Sequence, residues 1–172
     1  LDWKQHVQTH RGLVAEARND RAFYQVLARF VDGLQDAHVS PHIPSTYEAT
    51  LGFSSDFIEN KVLIENVDRL RLPEELFPFK KGDQLLAIGG VPVENLMKEL
   101  EWASATGNKA SADRFTAARL STRREARGLS VPKGITTITA LPVGAARPIT
   151  VTVTWITKGI PVFEQDDLSD LL

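Results

Sequence analysis

The chain has 172 residues, 42% of them hydrophobic and 24% charged, a formal net charge of −2 and no cysteine. That composition supports a packed core rather than disorder. The near-zero balance argues against a nucleic-acid partner found by bulk charge, and the missing thiols exclude disulfides and thiolate metal sites. No apolar run reaches the roughly 20 residues that span a membrane, and the opening Leu1-Asp2-Trp3-Lys4 has neither the basic start nor the apolar stretch of a signal peptide.

A short helix is expected over residues 2–10, with Trp3 and Val7 facing inward. Asn19-Asp20 offers an N-cap for a second helix. Phe23, Val26, Leu27, Phe30, Val31 and Leu34 then recur at steps of three and four, one apolar helical face that should end near 33–36. Pro41 and Pro44 make the next stretch extended or turn-like. Strands are expected over 48–53 and 61–67, with a turn across 54–60, and Pro73-Glu74-Glu75-Leu76 predicts a short helix opened by its proline. Gly82-Asp83 and Gly89-Gly90 bracket a strand over 84–88. Residues 94–103 show a helical stripe of Leu96, Met97 and Leu100.

From 109 to 127, Lys109, Arg114, Arg119, Arg123, Arg124 and Arg127 outnumber Asp113 and Glu125, over a modest stripe of small and apolar residues. This segment reads as the solvated face of a helix, or as a contact surface for another domain or an acidic substrate. Strands over 135–141 and 149–156 flank the turn-rich 142–148, and Thr150 to Trp155 alternates with period two, the pattern of a half-buried hairpin strand. The acidic 164–170 reads as a linker or fraying end.

Two constellations could carry chemistry. The first is Leu34-Gln35-Asp36-Ala37-His38-Val39, at the end of the second helix. An imidazole there could act as general base, or His38 could simply pack while Asp36 caps. The four-residue spacing of His38 and His42 suggests a metal pair only on a helix, and Pro41 and Pro44 break one, so no metal site is assigned. No motif asks for a cofactor.

The second joins Leu51-Gly52-Phe53 to the run Gly82-Asp83-Gln84-Leu85-Leu86-Ala87-Ile88-Gly89-Gly90. A glycine between two large apolar residues at the head of a strand can expose backbone N–H groups beside an apolar pocket, where a peptide carboxylate could dock while the strand edge pairs with the peptide. A plain strand start bulged at Gly52 is the alternative.

Together these stretches resemble a PDZ domain. Leu51-Gly52-Phe53 resembles its carboxylate-binding loop, 82–90 resembles its Gly-Asp-x-Ile-Leu-x-Ile-x-Gly run, and 94–103 would be the helix walling its groove. In chain order, an amphipathic helix, Leu-x-Asp-x-His and a PDZ-like unit resemble the front of tail-specific, C-terminal-processing and tricorn-like serine peptidases. The resemblance implies an α+β chain. Residues 1–44 would be a helical unit, 45–157 a PDZ-like β-sandwich or partly open barrel with a helical insertion near 104–132, and 158–172 a linker toward a catalytic core outside the chain. It makes His38 the candidate base and Leu51, Gly52 and Phe53 the peptide-binding residues, with a polypeptide substrate or protein C-terminus and that core as partners, and it favours a periplasmic or secreted location. None of the serines lies in the strand, glycine-rich turn and helix setting that builds an oxyanion hole, so the chain alone is expected to be inactive. The alternative is a non-catalytic PDZ-like binding or scaffold module.

Overall fold

The computed structural model describes residues 1–36, 38–104 and 106–163. It opens with α1 (Trp3–Glu16), capped by the Asp2 side chain on the Gln5 amide, and α2 (Asp20–Asp32), capped by Asn19 on the Ala22 amide. The first helix runs six residues beyond the expected end, from 10 to 16. The two form a hairpin in which the His6 ring stacks on Phe30 with centroids 4.8 Å apart and bonds the Phe30 carbonyl at 2.9 Å. A side chain on Gly33 would collide with the His6 ring, so glycine there lets α1 close on the end of α2.

The expected apolar face of α2 is only partly covered. Val26, Leu27 and Phe30 line an open cleft with Val7, His10 and Val14 of α1, whereas the buried positions of α2 are Ala28 and Asp32. Those two, one turn apart, face the rest of the molecule: the Cβ position of Gly128 lies 2.9 Å from the Ala28 methyl.

The β part comprises two antiparallel sheets that do not close into a barrel. The expected strand over 48–53 is two strands: β1 (Glu48–Thr50) and β2 (Phe53–Ile58) part at Leu51-Gly52 and enter different sheets. The expected turn across 54–60 is mostly β2; only Glu59 and Asn60 turn, both with positive φ (50° and 60°), into β3 (Lys61–Val67). That is the pairing a two-residue hairpin of primed type requires. Pro73 to Phe77 is a hydrogen-bonded turn, not a helix.

β4 (Gln84–Ile88), β5 (Val91–Pro92), β7 (Ile135–Leu141) and β8 (Ile149–Thr154) complete the larger sheet, in the order β2-β3-β4-β7-β8 with β5 beside β4. The smaller sheet is β6 (Thr122–Arg124), β1 and β9 (Ile156–Lys158). The expected last strand thus breaks at Trp155, which is buried, and changes sheets. Between the strands lie α3 (Val93–Leu100), a 3-10 turn over Glu101–Ser104, and α4 (Lys109–Leu120).

Leu51, Ile64, Phe77, Phe79, Leu85, Leu120 and Ile138 fill the core, all 1% exposed or less. The Gly-Asp run shows why it takes that form. Asp83 is buried, and its two oxygens accept from the Lys80 amide and, across the sheet, from the Val143 amide, both at 2.8 Å. One carboxylate therefore fastens the turn before β4 to the β7–β8 loop. The acidic 164–170 lies outside the described residues.

Candidate peptide-binding site

β2 is an edge strand, and α4 packs along it. The contact is specific. Ser55 Oγ donates to the Ala117 carbonyl at 2.7 Å, and Arg114 grips Asp56 through Nε (2.9 and 3.1 Å) and Nη2 (2.6 Å). The Arg114 hydrogen bonds hold the Asp56 carboxyl below its usual range. A register shift between Ser54 and Ser55 bends β2 just before this seam.

Where the seam opens, a cleft of about 320 Å³ lies between the two elements. Ser54 comes from β2, Phe115, Ala118 and Arg119 from α4, and Arg124 and Arg127 from the chain beyond. The helix packed along β2 is α4, whereas residues 94–103 were expected to wall the groove. Those residues border a separate cleft of about 280 Å³ with Phe57, Val62 and Gln84. α4 is hard to recognise because its buried face is Ala112, Thr116, Ala117 and Leu120, small residues that leave little apolar periodicity.

Leu51 and Gly52 link β1 to β2, which Phe53 opens, but the Leu51 and Phe53 side chains point into the core: Leu51 is 0% and Phe53 4% exposed. Gly52 has φ +82°, and an added Cβ would sit 3.2 Å from Leu72. The Leu51 amide donates to the Ser121 carbonyl at 3.0 Å and the Gly52 amide to Thr50 Oγ1 at 3.2 Å. Two N–H groups of this loop are thus engaged within the protein. Arg69 holds the covering turn in place by donating to the carbonyls of Leu72, Phe77 and Phe79.

His38 stands apart from this cleft, on the chain leaving α2, with its side chain 95% exposed. Its Nδ1 lies 3.0 Å from Asp36 Oδ1, and its backbone amide donates to the same oxygen at 2.9 Å. These bonds, the backbone one first, hold the Asp36 carboxyl below its usual range. Among the described residues no serine hydroxyl bonds to His38.

Besides Asp56, two further buried carboxylates escaped the sequence reading. Glu125 accepts from Ser45 Oγ (2.6 Å) and the Val162 amide (2.8 Å), with Arg21 at 3.8 Å, joining α2, the lead into β1 and the chain after β9. Asp32 is 7% exposed, and burial raises its carboxyl to about 6 against the opposing pull of Arg119 and Arg127. Neither sits in a motif; Asp32 is signalled only by lying one turn after Ala28.

An edge strand, a helix packed along it and a Gly-Asp-bounded strand define a PDZ-type fold. The PDZ domain profile matches residues 47–159, and the chain belongs to that family. No curated protein matches. Among solved structures, the chain is similar to mature CPAF (22% identity, TM-score 0.74, covering 94% of this chain and 29% of that one). It is similar also to mature CPAF complexed with lactacystin (22%, 0.73, 94% and 30%) and to a serine-to-alanine mutant of CPAF (23%, 0.70, 94% and 29%). At such identity the likeness is one of fold, and it extends over the helices as well as the PDZ part. The chain spans about 30% of the length of these structures. No helix among the described residues is long and apolar enough to cross a membrane.

Proposed function

We propose that this chain is the N-terminal helical and PDZ portion of a serine endopeptidase of the tail-specific kind, capturing polypeptide segments for a catalytic core outside it. The observation that carries this reading is the β2–α4 cleft, a strand edge and helix facing each other in a chain of the PDZ family. The fold likeness to CPAF supports the peptidase part, since it covers 94% of the chain and includes a complex with lactacystin and a serine-to-alanine mutant. A segment entering the cleft lies along Ser54 and against Phe115 and Ala118, while Leu51 and Phe53, expected as peptide-binding residues, are buried and do not line it.

In this reading His38 is the general base. Asp36 on Nδ1 fixes the ring and leaves Nε2 toward solvent, so that Nε2 takes the proton from the serine Oγ of the core and returns it to the leaving amine. The chain alone carries no nucleophile in that role and should not cleave a casein-like substrate. Hydrolysis by the pure chain, abolished by a serine-directed inhibitor, would refute this.

The competing reading is a non-catalytic binding module, favoured by the 95% exposure of the His38 side chain. The coding sequence after Leu172 separates the two. An α/β domain with a serine in a glycine-rich turn supports the peptidase; a stop or another binding module supports the scaffold.

A further inference from the structure

We propose that the β2–α4 cleft selects acidic polypeptide segments, with Arg127 as the residue that determines this preference and Arg119 and Arg124 reinforcing it. The proposal rests on the peptide-capture reading and names its substrate class.

Three guanidiniums converge on one cleft, and each is held differently. Arg119 is anchored, its Nη1 donating to Ser104 Oγ at 2.8 Å and to the Phe115 carbonyl at 2.9 Å. Arg124 donates to Glu48 at 2.8 Å, but Glu48 also takes Lys158 at 2.9 Å, so that carboxylate is divided between two cations. Arg127 is half-buried and makes no hydrogen bond or ion pair among the described residues.

Acidic groups nearby do not balance this charge. Asp32 faces Arg119 and Arg127 from α2 but is a single buried carboxylate against two cations. Glu125, close in sequence, turns its carboxylate to Ser45, Val162 and Arg21. The arginines also feel one another. Burial, and after it the Arg127 and Arg124 cations, depress Arg119 to about 10, which still leaves it charged at neutral pH. Like charges gathered at the rim of one cleft cost stability in the empty protein and are relieved by an anionic guest.

The cleft floor suits a side chain more than a bare anion. Phe115 is 49% exposed, and with Ala118 it offers apolar surface to the stem of a glutamate or to its aliphatic neighbours. Arginine forks then bind the carboxylates in two-point geometry. The net charge of −2 for the whole chain keeps the attraction local, which disfavours a long polyanion such as nucleic acid.

The test is fluorescence anisotropy on this chain with three labelled peptides of one apolar frame, carrying glutamates, glutamines or lysines at the same positions. The glutamate peptide should bind about tenfold tighter than the glutamine peptide at roughly 50 mM salt, and the lysine peptide weakest, with the preference shrinking as salt rises. Arg127→Gln, checked for native circular dichroism, should reduce the preference to about threefold or less, the loss falling mainly on the glutamate peptide. Arg127→Lys should restore part of it, and Arg147→Gln on the distant β7–β8 loop should change nothing. Equal binding of the glutamate and glutamine peptides, or a preference that survives Arg127→Gln, overturns the proposal. Tighter binding of a single-stranded oligonucleotide than of the glutamate peptide would also overturn it. If none of the peptides binds, the peptide-capture reading itself fails and this proposal with it.

Discussion

Gly52 and Asp32 show how single residues hold this molecule in an arrangement that simpler chemistry would not choose. With φ at +82° and Leu72 at 3.2 Å from a would-be Cβ, Gly52 sits where a side chain is strained by backbone and by space together. Gly52→Ala should lower stability by about 1–2 kcal/mol, read as a shift of the urea midpoint with an unchanged slope. An unaltered midpoint would mean that the loop relaxes freely. Asp32 predicts a pH effect of definite sign. Its carboxyl ionises near 3.8 ordinarily, but only at about 6 in the folded chain, because burial outweighs the pull of Arg119 and Arg127. Between those values the folded state carries the extra proton. The stability Asp32 contributes is therefore complete below its ordinary value and is lost as pH rises through about 6. Asp32→Asn should gain on the parent between mildly acidic and neutral pH, by on the order of 1 kcal/mol once screening by water is allowed for. Parallel stability profiles across that range would rule this out.

At the scale of elements, the seam between β2 and α4 decides whether the cleft keeps its shape. Asp56 is 6% exposed and, besides the Phe57 amide, depends on Arg114. Arg114→Ala should lower the urea midpoint, and only modestly, because the arginine side chain is 63% exposed and water screens the pair. A double-mutant cycle with Asp56→Asn measures the coupling, and additive losses would show that the pair does not clamp the helix. The same element marks the limit of sequence reading. The α2 cap, the Gly-Asp-bounded strand and the β7–β8 hairpin were legible because capping, turn glycines and two-residue alternation are local chemistry. The helix beside β2 was not. Residues 94–103 carry a strong apolar stripe, whereas α4 buries alanines and a threonine against β2, and only tertiary packing gives those positions value. The split of residues 48–58 into strands of different sheets was hidden for a similar reason. Gly52 marked a break, but the change of sheet depends on partners far along the chain, β6 and β9 on one side and β3 on the other.

For the whole molecule, the separation of recognition from chemistry gives the last test. The helical hairpin is tied to the PDZ part through Gln25, whose side-chain amide donates to the Gly128 carbonyl, and through Glu125 beside Arg21. His38 follows α2 on an exposed stretch, while the cleft belongs to β2, α4 and the arginines after it. The candidate base was legible only as a motif; its exposure and partner depend on how the chain leaves α2. In a full-length peptidase, His38→Ala should therefore abolish turnover while leaving peptide affinity for the cleft unchanged. Asp36→Asn keeps the shape of the pair but removes the charge that steadies the imidazole when it is protonated. It should lower kcat by about two to four orders of magnitude with KM little altered. Binding by anisotropy and turnover by peptide cleavage, measured on the same three proteins, check this directly. If turnover persists in His38→Ala, the base lies in the core, and the exposed Asp36–His38 pair is a helix-end structure. If affinity falls along with turnover, the two sites are coupled through the helical hairpin and the proposed division of labour is wrong.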